Sequence, residues 1–378
     1  MFVRYELLSI AFQVLGRTQL AARMKSVKNW DAIVVGAGII GLSLAIELNK
    51  RGLRVLVVEK GEPGREASWA AGGMLVDFVL ETPPGMRELA TASARMYPEF
   101  VHELEDESGL KIDLRSHGTL FFLHSDQPQE LAASHPLPVP LRELEPSLRA
   151  TDCTPLYLKE RSVDPRHLTA AAIAAARHRG VDFSHGDHVV AVELADGKVS
   201  GIRTDKTQFA ASMVVNCAGA WAGQIGLHPF PTRPVKGQML CVAMPEKELV
   251  RHVVRMPDVY LIPRSDGRML IGATAEEAGF DKRTVPETIQ KLRQAALDLV
   301  PKLVDARILE AWAGLRPGTP DGLPILGATP TPGYFVATGH FRDGILLAPV
   351  TATIMGQIMS EQKPQIDVSK FAADRFAN

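Results

Sequence analysis

Short apolar runs and amphipathic stretches alternate along the chain, a pattern typical of a protein built from both strands and helices. Residues 32–35 and 55–58 are β-branched apolar runs that predict buried parallel strands. Between them, apolar residues recur at helical spacing from Leu42 until a basic last turn and Gly52 end the predicted helix. Strand, helix and strand in this order predict the start of an α/β domain.

The same patterns predict further elements downstream. In chain order they are a helix over 168–179, strands over 181–183 and 188–192, a hairpin turn at 196–197 into a strand over 199–204, antiparallel strands over 238–244 and 260–273 with a turn at 265–267, and an amphipathic helix over 285–299.

The first 30 residues form a separate segment. Residues 2–24 carry Arg4, Arg17 and Arg23 against Glu6, with apolar residues spaced for one face of an amphipathic helix. A transit peptide, an interfacial anchor, and an extension upstream of a start at Met24 all fit this pattern.

We expect deletion of residues 1–23 to leave flavin content and turnover intact, because the first predicted strand begins only near Asp31. The flavin absorbance per mole of purified truncated chain checks this. A colourless or insoluble product would show that the segment is part of the fold.

Composition excludes several classes of protein. At 378 residues the chain is long enough for about two domains. Its 42 Lys and Arg against 43 Asp and Glu leave a net charge of -1, which argues against a nucleic acid or an anionic membrane as partner. Three cysteines without a C-x-x-C pair indicate neither a disulfide framework nor a metal site. Polar residues interrupt the longest apolar stretch, 344–359, so no transmembrane segment is predicted.

The strongest motif is a glycine-rich turn directly after the first strand. Gly36 would make the tight turn, Gly38 would let backbone approach a pyrophosphate, and Gly41 would let helix and strand pack closely. Glu59 follows at the end of the second strand, where it can accept a hydrogen bond from a ribose hydroxyl and would repel a 2′-phosphate. This combination predicts a dinucleotide site and argues against NADP.

Segments 64–75 and 213–221 resemble the FAD-dependent amine oxidases of the D-amino acid oxidase family. Segments 312–322 and 339–349, each with an arginine among glycines, are similar to the glycine oxidases of thiamine biosynthesis. The resemblance covers about residues 31–358. It implies noncovalent FAD in a Rossmann-like domain of an α/β (α+β) two-domain fold, with a substrate domain built on an antiparallel sheet.

The resemblance also implies which residues contact the cofactor. They are Gly36, Gly38, Ile39, Ile40, Gly41, Glu59, Lys60, Ala67, Ser68, Gly72, Gly73, Met74, Val189, Gly219, His340, Phe341, Arg342, Asp343, Gly344, Ile345 and Leu346.

Tyr260, Arg316 and Arg342 are the catalytic residues that the resemblance implies. A planar guanidinium can hold an amino-acid carboxylate bidentately, a phenol can complete the anchoring, and orientation of the substrate is then most of the catalysis. Alternatives stay open: Asp343 and Asp321 are local ion-pair partners for the two arginines, and Tyr260 also suits the edge of a core. No His or Glu is identified as a base.

Three positions depart from the family pattern. Gly72 stands where a second alanine or similar small residue is usual, a change expected to be harmless. Asp258 stands where some glycine oxidases have histidine. Ala275 stands where a larger methionine is expected, and its small side chain would enlarge the pocket.

The motifs divide the chain into a discontinuous FAD-binding domain and a substrate domain. The first takes residues 31–95, 164–227 and 311–361, the second 96–163 and 228–310, with a C-terminal tail over 362–378 and an N-terminal extension over 1–30.

The function expected from the resemblance is oxidation of glycine by dioxygen to glyoxylate, ammonia and hydrogen peroxide, feeding thiamine biosynthesis in the cytoplasm. One alternative is a D-amino acid or sarcosine oxidase or dehydrogenase that uses oxygen or a quinone. Another is a non-catalytic FAD-binding subunit of a larger dehydrogenase. Association of identical copies is compatible with the sequence.

Overall fold

The computed structural model describes residues 30–78 and 80–376. Its strands, in chain order, are β1 (Trp30–Val35), β2 (Val55–Glu59), β3 (Met74–Leu75), β4 (Leu114–Arg115), β5 (Thr119–Leu123), β6 (Thr154–Leu158), β7 (Arg161–Val163), β8 (Asp182–His185), β9 (Val189–Ala195), β10 (Lys198–Thr204), β11 (Gln208–Asn216), β12 (Arg233–Ala243), β13 (Val253–Arg255), β14 (Tyr260–Pro263), β15 (Arg268–Gly272), β16 (Arg307–Gly318), β17 (Ile325–Ala328) and β18 (Tyr334–Thr338). Its α-helices are α1 (Ile39–Lys50), α2 (Ala67–Ala70), α3 (Arg87–Ser108), α4 (Glu130–Ser134), α5 (Leu141–Leu144), α6 (Pro165–His178), α7 (Pro286–Leu299) and α8 (Ala348–Met359). The helix predicted over residues 2–24 lies outside the described residues.

The first sheet has the order β17-β18-β11-β1-β2-β8, with β9 and β10 attached through β11. Its central strands β18, β11, β1, β2 and β8 run parallel. β1 and β2 are apolar throughout most of their length because both are hydrogen-bonded on both sides and buried on both faces. Helices α1, α3, α6 and α8 pack together with them in one hydrophobic core. Parallel strands end at one edge of the sheet, and ligands of such folds bind there.

The second sheet has the order β16-β12-β15-β14-β13-β5-β6 and is antiparallel apart from the β13–β5 pair. Alternating residues of β12, β14 and β15 are buried with α7 in a second core. The long β12–β16 ladder fixes which side chains of these two strands face each other. A third sheet has three strands in the order β3-β7-β4, and along the chain they alternate with strands of the other two sheets.

This fold is the predicted one: a Rossmann-like α/β part with an antiparallel sheet. Two of the predicted domain boundaries fall inside continuous elements, since α3 runs through residue 95 and β16 begins at Arg307. Hydrophobic periodicity shows where an element lies but not which sheet receives it, so it places such boundaries poorly. The division into two domains stays a prediction.

Candidate active site

A long cavity follows the carboxyl edge of the first sheet and continues beneath the second sheet. Predicted site residues that line it are Gly36, Gly38, Ile39, Ile40, Glu59, Lys60, Ala67, Ser68, Gly72, Gly73, Met74, Val189, Gly219, Tyr260, Arg316, His340, Phe341, Arg342, Asp343, Gly344 and Ile345. Segments remote in sequence therefore converge on one site.

Two predicted cofactor contacts, Gly41 and Leu346, are not part of the cavity wall. A Cβ at Gly41 would lie 2.0 Å from the carbonyl oxygen of Gly36, so this glycine permits the close packing of α1 on the turn. Leu346 is 1% exposed and belongs to the core of the first sheet. Its carbonyl accepts a hydrogen bond of 2.6 Å from the Ser93 hydroxyl. Leu346 therefore packs in the core behind Ile345, which does line the cavity.

The glycine-rich turn forms one end of a cradle for a dinucleotide. Gly36 has a φ of 106°, and a Cβ there would lie 2.6 Å from the carbonyl oxygen of Cys217. The Ile39 N–H donates a hydrogen bond of 2.9 Å to the Ser68 hydroxyl, which brings the second predicted flavin loop against the N-terminus of α1. First-turn N–H groups of a helix have no partners within the helix, and the helix dipole favours an anion there. These groups fit the pyrophosphate of FAD.

Glu59 stabilises this turn as well as facing the cavity. Its two carboxylate oxygens accept hydrogen bonds of 2.9 Å from the N–H groups of Ala37 and Gly61. An ionised carboxylate has about four acceptor positions, so capacity remains for a ribose hydroxyl. Val189 lines the same end of the cavity, as do Asp187 and His188. The adenosine half of FAD fits this end.

Arg316 lies at the opposite end, on β16, and is directed by the second sheet. Its Nη1 donates a hydrogen bond of 2.9 Å to the Thr274 carbonyl. The guanidinium packs over Gly237, where a Cβ would lie 2.3 Å from Nη1. Asp321, the local alternative partner, instead pairs with Arg375 at an Nε–Oδ2 distance of 2.9 Å. Arg316 is thus a cavity residue. Glu276 interacts with it electrostatically, but within the described residues no carboxylate lies within ion-pair distance of it.

Tyr260 begins β14 and lies beside both arginines. Its hydroxyl donates a weak hydrogen bond to the Met239 sulfur at 3.7 Å. Desolvation raises the pKa of this phenol, and the nearby charges of Arg316 and Arg342 oppose that shift. The phenol therefore stays protonated at neutral pH and can donate a hydrogen bond to an anion.

Arg342 is exposed to the cavity, and within residues 30–78 and 80–376 no carboxylate lies within ion-pair distance of it. Its guanidinium lies over the Phe341 ring, 5.4 Å from the centroid. Burial lowers the pKa of Arg316, and the charge of Arg342 lowers it further. Burial raises the pKa of Asp343 to about 7, against the influence of Arg342 and Arg255. Two like charges thus face one end of the cavity, which suits a carboxylate ligand.

Sequence reasoning missed several wall residues, including Glu81, Trp221, Met239 and Arg255. Met239 lies within a predicted strand, but only the register of the folded sheet shows that its side chain faces the cavity. Asp258 does line the cavity, whereas Ala275 is exposed and not part of the wall. That the small side chain of Ala275 enlarges the pocket stays a prediction.

His340 is a buried, neutral part of the wall. It is 3% exposed, and its Nε2 lies 3.1 Å from the Thr351 hydroxyl. Burial lowers the pKa of this imidazole from 6.5 to about 3. Between these values the unfolded chain binds a proton that the folded chain does not, so the free energy of unfolding falls as the pH is lowered through this range.

We expect His340→Gln to flatten this acid destabilisation, since glutamine can still bond Thr351 but does not titrate. The lost slope should reach up to about 1.4 kcal/mol per pH unit. Denaturant unfolding between pH 7.5 and 4.5 measures it, and the exposed His124→Gln variant is the control. Equal slopes in wild type and His340→Gln would contradict the prediction.

In the part of the chain that the structure describes, no group of His, Cys, Asp and Glu side chains could hold a metal ion. A search of the same residues finds no helix with the length and apolar character needed to cross a membrane.

A glycine-rich turn at a helix N-terminus, a carboxylate at the end of the second strand and a second sheet over the far end are typical of a dinucleotide-dependent oxidoreductase. The family model "FAD dependent oxidoreductase" (DAO) matches residues 31–358, and the chain belongs to this family. The protein is an FAD-dependent amine oxidoreductase.

Several relatives are similar over nearly the whole chain. A glycine oxidase of Pseudomonas aeruginosa is 37% identical, covering 90% of this chain and 97% of its own length. The bifunctional protein ThiO/ThiG of Trichormus variabilis is 36% identical over 92% of this chain, which spans 55% of that protein. The hydrogen cyanide synthase subunit HcnC of P. aeruginosa is 31% identical, covering 92% of this chain and 97% of its own length. The crystal structure of glycine oxidase from Geobacillus kaustophilus matches with a TM-score of 0.87 and 31% identity, over 93% of this chain and 100% of that one.

We expect the FAD to be noncovalently bound. The cavity-lining Cys217 is buried, which raises the pKa of its thiol and disfavours the reactive thiolate. Acid precipitation of the yellow protein should release the flavin into the supernatant, as its absorption spectrum would show. Flavin that stays in the pellet would indicate a covalent bond.

Proposed function

We propose that the protein oxidises glycine to its imine, which water converts to glyoxylate and ammonia, with dioxygen reduced to hydrogen peroxide. The observation that carries this proposal is the pair Arg316 and Arg342, which line one end of the FAD cavity with no carboxylate of the described residues within ion-pair distance. Two guanidinium groups and a phenol form an anchor for the carboxylate of an amino acid.

FAD, when bound, supplies the two-electron oxidation of the substrate. The chain's own contribution is binding and orientation. Arg316 and Arg342 would hold the carboxylate, and Tyr260 would donate its O–H to one of the carboxylate oxygens. Fixing the carboxylate at three points limits the positions that the Cα–H can take, and such orientation lowers the barrier of the reaction. Met239 and the buried strands around it keep this end apolar, which strengthens the charge interactions of the anchor.

The names of the relatives support glycine as the substrate, and the ThiO/ThiG protein supports use of the imine in thiamine biosynthesis. The name of the HcnC relative supports an alternative in which the chain is a subunit of a larger enzyme. A D-amino acid or sarcosine oxidase is a further alternative that the same anchor would serve. All three cysteines are free, which supports a reducing compartment such as the cytoplasm.

Peroxide release from the purified chain tests the proposal. We expect kcat/KM for glycine to exceed the values for sarcosine, D-alanine and D-proline. A parallel assay without oxygen, with an artificial electron acceptor, distinguishes an oxidase from a dehydrogenase. Preference for another amine would overturn glycine as the substrate. No turnover with either acceptor would favour the subunit alternative.

A further inference from the structure

A third arginine, Arg255, lines the cavity without belonging to the carboxylate anchor. It ends β13 and is 3% exposed. Its Nη1 donates a hydrogen bond of 2.7 Å to Oε2 of Glu160. Its Nη2 lies beside the carboxylate of Glu81 but is buried without a hydrogen-bond partner among the described residues. The guanidinium lies over the Phe121 ring, 5.0 Å from the centroid. A guanidinium stays ionised even when buried, so each side of this group needs an acceptor.

The position of Arg255 places it beside the proposed carboxylate anchor. β13 and β14 are antiparallel, and Arg255 lies directly opposite Tyr260 in their register. Directly opposite residues project from the same face of a sheet with their Cβ atoms about 5 Å apart. Arg255 also interacts electrostatically with Asp343, the residue that follows Arg342. One end of the cavity therefore contains two positively charged places: the pair Arg316 and Arg342, and the single Arg255.

The two carboxylates that bind Arg255 differ in how firmly they are held. The Glu160 side chain is 4% exposed and follows β6 within the protein interior. The Glu81 side chain is 37% exposed and belongs to the connection between β3 and α3. Glu81 also lines the cavity, so a ligand in the cavity can reach the place that its carboxylate occupies. Glu160 is thus a fixed partner, and Glu81 is an exchangeable one.

We propose that Arg255 is a second carboxylate site, which takes the distal carboxylate of an aminodicarboxylic acid in place of Glu81. The inference rests on the proposed function, because it assumes that Arg316 and Arg342 hold the α-carboxylate. Replacing Glu81 by a substrate carboxylate conserves the charge around Arg255, so neither partner is left buried and unpaired. With a monocarboxylic substrate, Glu81 remains on Arg255.

Ligand binding to the FAD-loaded protein tests the site without turnover. Succinate and its monoamide, succinamate, have nearly the same shape but differ by one charge. Their dissociation constants can be measured from changes in the flavin absorption spectrum. Glu81→Ala removes the competing carboxylate at an exposed position, so it should tighten succinate relative to succinamate at least tenfold. Glu88→Ala, a nearby exposed acid, should leave the ratio unchanged.

Arg255→Lys keeps a positive charge near Glu160 but removes the forked guanidinium donor. In the Glu81→Ala background, we expect this change to bring the dissociation constants for succinate and succinamate within about threefold of each other. Ratios that agree within twofold among wild type, Glu81→Ala and the double variant would overturn the proposal.

Turnover provides an independent arm. Glu81→Ala should raise the ratio of kcat/KM for D-aspartate over D-asparagine, whereas Glu88→Ala should leave that ratio unchanged. If no amine is oxidised, the proposed function fails, and the succinate measurement still decides the role of Arg255. If glycine is oxidised but Glu81→Ala changes neither the succinate-to-succinamate binding ratio nor the D-aspartate-to-D-asparagine ratio of kcat/KM, the second carboxylate site is disproved and the proposed function stands.

Discussion

Replacing Arg342 by methionine should lower kcat/KM for glycine by about 150- to 5,000-fold while FAD remains bound. In a water-poor pocket, removal of one partner of a charge pair costs about 3–5 kcal/mol, and 1.36 kcal/mol corresponds to a factor of ten. The loss should appear in both KM and kcat, because the same contact binds the carboxylate and orients the Cα–H. Steady-state peroxide release over a range of glycine concentrations measures it.

Two controls separate this loss from damage to the fold. Arg283→Met removes an exposed arginine that pairs with Asp281, and it should leave the rate unchanged. A neutral primary amine without a carboxylate should lose far less activity than glycine in Arg342→Met. If the variant oxidises glycine within about tenfold of wild type, a loss below about 1.4 kcal/mol, Arg342 does not bind the carboxylate.

Replacing Glu59 by alanine should weaken FAD binding by about 10- to 150-fold. A hydrogen bond from a ribose hydroxyl to a carboxylate contributes about 1.5–3 kcal/mol. The change also leaves the N–H groups of Ala37 and Gly61 without their acceptor, which loosens the turn that surrounds the pyrophosphate. Titration of the apoprotein with FAD gives the dissociation constant.

Glu59→Gln distinguishes the two contributions. The amide oxygen of glutamine can still accept a hydrogen bond from one N–H, so the turn should persist. The negatively charged acceptor for the ribose hydroxyl is lost. We expect its affinity for FAD to lie between those of wild type and Glu59→Ala. FAD affinity unchanged in both variants would mean that Glu59 does not bind the ribose.

The dinucleotide site could be predicted from the sequence because its motif, the glycine-rich turn followed by Glu59, lies within one short stretch of the chain. The function of Gly41 depends on Gly36, a few positions earlier in the same turn, and the structure shows the close approach that requires it. The same holds for the strand that ends at Glu59. Spacing along the chain is sufficient where the partners are neighbours in sequence.

The substrate half depended on a resemblance, because its partners come from different strands. Nothing local relates Arg316 to Thr274, or Arg255 to Glu160 and Glu81. These contacts follow from sheet order and register, which a single sequence does not specify. Asp321 illustrates the reverse case: it is close to Arg316 in sequence, yet it binds Arg375.

The cavity wall has a consequence for biosynthesis of the protein. It begins at Val35 and is completed by the loop that ends at Ile345, so a nascent chain cannot hold FAD until nearly all of it has been made. Forming such distant contacts costs loop-closure entropy before they stabilise the fold, and FAD can offset this only afterwards, by binding the folded state alone. Flavin supply should therefore control how much of the newly made protein escapes aggregation and proteolysis. Expression in riboflavin-limited cells should lower the yield of folded protein, and not merely its flavin content.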